Sequence, residues 1–525
     1  MTHPKVPTTF LGIDLGTSSV KALLVDESGR VQAGGMAEYP VHRPRPGFAE
    51  QNPEDWWRAT GEAVRQALAW GGKESRVTGI GLSGQMHGTV LLDERDHLLA
   101  PAIIWADQRS AAQLPAITAA IGAERLIELT GSPVATGFQA ATIRWLMDEK
   151  SSLWWRTKTV LLPKDELRRR LTGEIATDPS DGSGTLLLDA RWRDWSPEVL
   201  AALGIDVRKL PPVRPSVEVA GGLLPAAAEL LGLPTGTPVV VGAGDAASGL
   251  LGAGIVEPTT LLLSLSTGSQ VMIPARGVHP DRDGRVHLFC SALEPTADRP
   301  GWYQMGATLA AGMALRWLRD EMFQLRGEDA YERMTGWAAD APLGADGLLF
   351  LPYLAGERTP HMDPLARGAF LGLTAGHGRG HLTRAVMEGV TLATLDAYAV
   401  LRESGATPTR LVMAGGGARA PFWRQMVADV FELPVHALAT ADQAAMGAAL
   451  LAAVGVAGFD PIATSRQWGQ AGPALDPHPN RHAHYLQLHG LFQEAYGATI
   501  TMSHRLHAFR ADDAQPKITP RRPGG

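Results

Sequence analysis

Two short stretches, one in each half of the chain, constrain the fold more than anything else. The first is Phe10 to Val25, FLGIDLGTSSVKALLV. An apolar strand, Phe10 to Ile13, delivers Asp14; a turn, Gly16-Thr17-Ser18-Ser19, follows; a second strand, Val20 to Val25, leaves it. Glycine lets a backbone come close to a ligand. Backbone N–H and hydroxyl groups at such a turn form an anion-binding concavity, and a carboxylate beside them suits a hydrated Mg²⁺ that shares phosphate oxygens. Taken alone, the stretch has a second reading, a plain β-hairpin with a structural Asp. Thr259 to Ile273, TTLLLSLSTGSQVMI, repeats the plan with Ser266-Thr267-Gly268-Ser269 at its turn. Two phosphate hairpins predict two related domains facing one nucleotide.

At 525 residues the chain exceeds what a single core supports, which also predicts two domains. A net charge of −6 gives no reason to expect nucleic acid or an anionic membrane as partner. No apolar run reaches bilayer-spanning length, and the N-terminal MTHPKVPTT lacks the apolar core of a secretory signal. The single cysteine, Cys290, rules out an internal disulfide and a multi-cysteine zinc site. A buried, inert thiol in a reducing, cytoplasmic setting is the expectation.

Asn52-Pro53-Glu54 predicts a helix start and Gly71-Gly72 its end, with Trp56, Ala59, Ala63, Val64, Ala67 and Leu68 on one face. The strand Val77 to Leu82 runs into Ser83-Gly84-Gln85-Met86-His87-Gly88, where polar groups at a strand end suit a small-molecule site. His87 alone also reads as a hydrogen-bonded structural histidine. Ile103 to Arg109 then places Trp105, Asp107 and Arg109 together. Asp and Arg bond the hydroxyls of a polyol and Trp covers a sugar's apolar face; the plainer reading is an Asp107–Arg109 ion pair. Val239 to Ala247 contains G-x-G-x-x-A after an apolar strand, but no acid follows at the ribose-binding distance, so a dinucleotide fold is rejected. Met305 to Leu318 carries helical spacing, Leu348 to Leu354 reads as a strand and His381 to Leu401 as a long helix. Leu411 to Ala414 feeds Gly415-Gly416-Gly417, and a helix begins at Pro421. Glycines between strand and helix allow a nucleotide to approach near a helix N-terminus. There is no G-x-x-x-x-G-K-[ST] loop. Ala441 to Val454 and His482 to Tyr496 are expected helices, and 505–525, basic and Pro-containing, reads as a disordered tail.

The paired hairpins resemble the actin/sugar kinase/heat-shock ATPase superfamily. D-L-G-T-S-S from Asp14, G-Q-M-H-G from Gly84 and W-A-D-Q-R from Trp105 resemble, more narrowly, the FGGY family of carbohydrate kinases and its xylulokinase branch. Agreement extends to Leu161–Asp165, Leu171–Glu174, Ala176–Asp181, Gly356–His361 and Gly368–Glu388, and spans about Phe10 to about Gly455. The resemblance implies an α/β protein of two ribonuclease-H-like domains flanking an ATP/sugar cleft. The expected division is 8–250 for sugar and phosphate binding and 255–500 for nucleotide binding. It implies ATP-dependent phosphorylation of D-xylulose to D-xylulose 5-phosphate, with Asp245 as the base that activates the terminal hydroxyl. The sugar falls to Gln85, Met86, His87, Trp105, Asp107 and Arg109. ATP falls to Gly16, Thr17, Ser18, Lys21, Ser266, Thr267, Gly268 and Gly415 to Gly417, and Mg²⁺ to Asp14. A homodimer is the family's expectation. Lys21 agrees with the xylulokinase branch, where glycerol kinases have Arg. Four positions depart: Ala246 replaces a common amide after the base, Ser266 replaces a glycine of the second turn, and Gln139 and Thr142 depart from the first family signature. Three alternatives stand beside this reading. One is a family kinase for gluconate or another ketose, where gluconate needs a cation for its carboxylate. Another is a silent sugar sensor on the same scaffold. The third is an actin- or chaperone-like ATPase, which leaves the M-H-G and W-A-D-Q-R blocks without a role.

Overall fold

Strands β1 (Thr8–Leu15) and β2 (Ser19–Asp26) form the first hairpin and β3 (Val31–Glu38) extends it, all antiparallel. The computed structural model describes residues 8–70, 76–438 and 442–513, the side chains of 510–513 excepted. Helix α1 (Pro53–Trp70) follows; its expected end at Gly71-Gly72 lies outside the described residues. Strand β4 (Arg76–Gly84) then lies parallel to β1, beyond it comes β6 (Pro238–Val240), and β5 (Val219–Gly222) closes the edge. Helix α2 (Pro163–Thr172) and helix α3 (Asp245–Gly252) complete what matters for the site.

The second half repeats the plan. Strands β7 (Thr260–Leu265) and β8 (Ser269–Ala275) form the second hairpin, β9 (His287–Cys290) lies at the far edge, and β10 (Trp302–Thr308) pairs with β8. After helices α4 (Gly312–Trp317), α5 (Ala330–Asp340) and α6 (Arg379–Glu403), strand β11 (Arg410–Ala414) joins β7 in parallel. Helix α7 (Pro421–Phe431) leads to β12 (Val435–Ala437), parallel to β11. Both sheets share three antiparallel strands followed by two parallel ones, with crossovers through helices; the first adds β5, antiparallel to β6, and the second adds β9, antiparallel to β10.

Strand β1 is apolar on both faces because both faces are covered. Leu11, Ile13 and Leu15 pack with Trp56, Ala59 and Ala63 of α1. Phe10, on the other face, joins helix α8 (Gln443–Ala457) of the second half. That helix is read correctly as Ala-rich, and its composition has a reason. A Cβ on Gly12 would sit 1.9 Å from the Ala445 carbonyl oxygen, and one on Gly81 would sit 1.8 Å from that of Ala448. Only backbone against backbone fits there.

Two expectations are corrected. Met305 to Leu318 is not one helix: β10 runs to Thr308 and α4 begins at Gly312. The stretch Trp302–Thr308 is hydrogen-bonded to Ser269–Ala275, so sheet pairing overrides its periodicity. The tail expected from residue 505 is helical to Asp513, as the end of α9 (Pro479–Asp513); no Gly or Pro interrupts it between Gly497 and Pro516, and residues 514–525 lie outside the described residues. Tyr485, Leu488 and Phe492 of α9 enter the second core. Among the described residues no helix is long and apolar enough to cross a membrane.

Candidate active site

The first phosphate turn is held from behind by side chains. The Gly16 N–H donates to the Ser19 carbonyl at 3.0 Å, and the Tyr39 hydroxyl donates to the Gly16 carbonyl. Gln51 Nε2 donates to the Thr17 carbonyl at 2.5 Å and Trp105 Nε1 to Thr17 Oγ1 at 2.8 Å. Gln85 sits one layer back: its Nε2 donates to Gln51 Oε1 at 2.8 Å and its side chain is buried. The sequence places Gln85 on the sugar; the structure places it in the scaffold of the turn. Asp14, at the end of β1, accepts from Ser83 Oγ at 2.9 Å.

Asp245 is presented by a loop tied to a buried charge cluster. Asp178 Oδ2 accepts from Ser180 Oγ at 2.5 Å and from Ser216 Oγ at 2.8 Å, and Ser180 Oγ in turn accepts the Gly244 N–H at 3.0 Å. Lys164 Nζ reaches Asp165 at 2.7 Å, Asp178 at 3.2 Å and Asp181 at 3.8 Å, all with fully buried side chains. Burial pulls the Lys164 ammonium down, but these carboxylates outweigh it and the net shift is upward. Burial drives Asp181 well above the usual carboxylate range. Arg168 bonds Asp165 at 2.9 Å and the Val241 carbonyl at 3.0 Å.

A cavity of about 390 Å³ brings the sequence-predicted groups together: Thr17, Met86, His87, Trp105, Asp245 and the Ser266–Gly268 turn all line it. Asp245 is partly exposed to it at the start of α3. Burial, and then the charge of Asp14, push its carboxyl up to about 7. His87 has a φ of +73°, a left-handed conformation that costs a bulky residue energy and marks functional sites. Its Nδ1 donates to the Gly184 carbonyl at 2.5 Å, which leaves Nε2 as an acceptor. Burial and the Arg358 charge push its pKa down to about 4, so the ring is neutral near pH 7. Phe138 packs at 4.2 Å from the imidazole centroid, and Phe289 completes an apolar wall.

Asp107 and Arg109 do not line this cavity. Arg109 Nε bonds both Asp107 oxygens at 2.9 Å, its Nη2 reaches Glu50 at 2.7 Å, and the guanidinium lies 3.8 Å from the Phe48 ring centroid. Asp107 also accepts the Ala49 N–H at 2.6 Å. Both side chains are engaged with protein groups and lie outside the cavity, so the expected direct sugar contact gives way to the ion-pair reading.

A second cavity, of about 870 Å³, shares Ser266 and Thr267 with the first and is walled by Leu315, Tyr331 and Phe422. Gly416 and Gly417 line it. Gly415, with φ +80°, packs against the Leu265 carbonyl, where a Cβ would come within 2.4 Å. The Ser266 N–H donates to the Gly268 carbonyl at 2.9 Å, so the turn closes with a serine at its first position. Lys21 faces neither space: it pairs with Asp442 at 2.5 Å, beside Gly415 and Gly416 in a third recess of the cleft.

The charges of Asp442 and Asp14 reach along the cleft. Burial raises Asp14, Ser83 and Lys21 oppose it, and Asp442 raises it further; Asp14 then raises Asp245. This excess of negative charge fits a divalent cation. No group of three or more His, Cys, Asp or Glu side chains among the described residues forms a closed metal cage. One carboxylate with phosphate oxygens is the way Mg²⁺ is held beside nucleotides.

Several site residues escape sequence reasoning. Gln51 and Ser83 act through the phosphate turn. His287 and Phe289, two apart on β9, face the cavity together, and period-two spacing was the available signal. Gln139, a departure from the family pattern, donates to the Gly88 and Leu161 carbonyls at 3.1 and 3.3 Å, which braces the loop carrying His87. Ala246 lines the cavity where an amide was expected.

The chain is similar to known proteins over most of its length. Residues 9–252 match the N-terminal domain, and residues 261–456 the C-terminal domain, of the FGGY family of carbohydrate kinases. The chain is 36% identical over 502 residues to a xylulose kinase of Bacillus subtilis (strain 168), covering 95% of this chain and 99% of that one. It is 40% identical over 421 residues to a xylulose kinase of Escherichia coli (strain K12), covering 80% and 84%. A crystal structure described as a xyloylose kinase from Brucella ovis superposes with a TM-score of 0.87 at 35% identity, covering 94% of this chain and all of that one (100%).

Proposed function

The chain belongs to the FGGY family of carbohydrate kinases, and on that premise we propose that it transfers the γ-phosphoryl group of ATP to D-xylulose, giving D-xylulose 5-phosphate and ADP. It is an ATP-dependent sugar kinase of α/β class with two ribonuclease-H-like units. The division at 8–250 and 255–500 is part of the same proposal, as is a homodimer. The observation that carries the reading is the junction of two cavities at Ser266–Thr267, one edged by Asp245 and His87, the other walled by apolar side chains and glycine backbone.

In this reading the adenosine end occupies the larger cavity, against Leu315, Tyr331 and Phe422 and over Gly416–Gly417. The phosphates run along Ser266–Gly268 towards Gly16–Ser18. The sugar lies in the smaller cavity, where His87 Nε2 accepts from a hydroxyl and Trp105 and Phe138 cover its apolar face. Asp245 takes the proton of the terminal hydroxyl as that oxygen bonds to γ-phosphorus and the bond to the β,γ-bridging oxygen breaks. Asp14 would hold Mg²⁺, whose charge offsets that of the transferring phosphoryl group. Closure of the two halves excludes water, which otherwise competes for the phosphoryl group.

ADP release tests the substrate. With D-xylulose, L-xylulose, D-ribulose, L-ribulose, gluconate and glycerol, and a sugar-free control, the expected result is strong preference for D-xylulose. Preference for another member of the panel moves the substrate; ADP release indifferent to sugar points to a different ATPase; no release with any sugar favours a sensor.

The pH profile tests the base. A carboxyl held up at about 7 must lose its proton to act, so kcat/KM should fall as pH drops through about 7. His87, at about 4, adds no limb in that range. An acid limb below pH ~5, the region of an ordinary carboxylate, would mean that Asp245 is not the proton acceptor.

A further inference from the structure

Arg358 lines the sugar cavity from the second half of the chain, yet its guanidinium makes no hydrogen bond or ion pair among the described residues. Three other cations are engaged: Lys21 with Asp442, Arg109 with Asp107 and Glu50, and Lys164 with its three carboxylates. The neighbouring acid does not occupy it. Glu357 is buried, and its Oε1 accepts the N–H groups of Leu309 and Arg358, both at 2.8 Å. The backbone on the other side is equally fixed: Thr359 Oγ1 donates to the Arg285 carbonyl at 2.8 Å and accepts the Ala307 N–H at 3.1 Å. Arg358 is thus an exposed cation on a rigid stem, anchored to the strand end next to the Ser266–Gly268 turn.

Its charge is felt inside the cavity. It acts on His87 and His287, at the aromatic end of the cavity. The charge acting on Asp245 is that of Asp14. Arg358 shares the cavity with His87, His287 and Asp245. A planar guanidinium with five donors is suited to bond neighbouring oxygens of a polyol or carbonyl.

We propose that Arg358 is a substrate-binding residue whose guanidinium donates hydrogen bonds to oxygens of D-xylulose. The proposal rests on the kinase reading above. It also makes the sugar a bridge, held by His87 of the first half and Arg358 of the second.

The test is steady-state kinetics of the full chain and of Arg358→Gln and Arg358→Lys, with D-xylulose and ATP varied in turn. Sugar binding without ATP is followed by calorimetry. Loss of a charge-assisted hydrogen bond predicts a rise of about 10- to 100-fold in KM and in Kd for D-xylulose in Arg358→Gln. Arg358→Lys, which keeps charge but not the planar fork, falls between. KM for ATP stays within about two-fold of the parent. The side chain has no protein partner to lose, so both variants keep the parent's melting temperature. Unchanged KM and Kd for the sugar would overturn the proposal. A fall in kcat with sugar binding intact would overturn it too, and place the guanidinium on the transferring phosphoryl group. Failure of the unaltered chain to phosphorylate D-xylulose is a separate outcome: it removes the D-xylulose reading, and the proposal with it.

Discussion

Asp245→Asn lowers turnover by about 10²- to 10⁴-fold, the range that a positioned general base supplies, and leaves KM for the sugar within a few-fold. Asn keeps the shape and one acceptor but cannot take the proton. The same substitution should make the protein more stable at neutral and alkaline pH. The Asp245 carboxyl is held at about 7 in the folded chain, against 3.8 for the free side chain. A group whose pKa rises on folding favours the folded state while protonated, and that contribution is lost as pH climbs through the folded value. Above pH ~7 the native protein holds an unwelcome charge, and Asn removes it. The expected gain is on the order of 1–4 kcal/mol at pH ~8, shrinking to nothing below pH ~4. Loss of activity with a gain in melting temperature at pH ~8 separates a base from a residue that merely packs. Near-normal turnover in Asp245→Asn would show that the proton goes elsewhere.

The second large effect is on stability. Lys164→Met removes the ammonium that Asp165, Asp178 and Asp181 share, inside a region with no access to water. Removing one partner from a buried ionic group costs about 3–5 kcal/mol, because the charges left behind are uncompensated. Chemical denaturation should show this loss as a lower midpoint of unfolding. The penalty should be larger at pH ~8 than at pH ~5, since the orphaned carboxylates are relieved by taking up protons. Turnover should fall as well, because Asp178 holds Ser180 and Ser180 holds the Gly244 N–H beside Asp245. A double change, Lys164→Met with Asp165→Asn, should recover part of the stability. A cost under about 1 kcal/mol for Lys164→Met would remove the cluster from the account of how Asp245 is placed.

The two phosphate hairpins were legible because strand, turn and strand are local events written in consecutive residues. The triple glycine and the helix at Pro421 were legible for the same reason. What was not legible depends on partners far away in sequence. Asp107 and Arg109 have the chemistry of a polyol site, and only the arrival of Glu50, Phe48 and the Ala49 N–H turns them inward. Gln85 reads as a ligand until Gln51, from a different loop, takes its amide. Met305 to Leu318 misled because a strand buried on both faces carries apolar residues at every spacing, helical ones included. Arg358 stood in a stretch noticed as a block, but its lack of a partner is visible only once the carboxylate beside it is seen bonded to backbone.

Helix α8 has a consequence for the order in which this protein is made. The face of the first sheet that carries Gly12 and Gly81 is covered by residues 443–457, which leave the ribosome long after the strands beneath them. The first half therefore emerges with its sheet uncovered on one side, and that side stays a groove of glycine and apolar residues until almost the whole chain has been synthesised. Folding cannot finish one half at a time. The last segment of the second sequence domain closes the first, so the two halves become native together, and a chain truncated before Gln443 leaves the phosphate hairpin on an unfinished sheet.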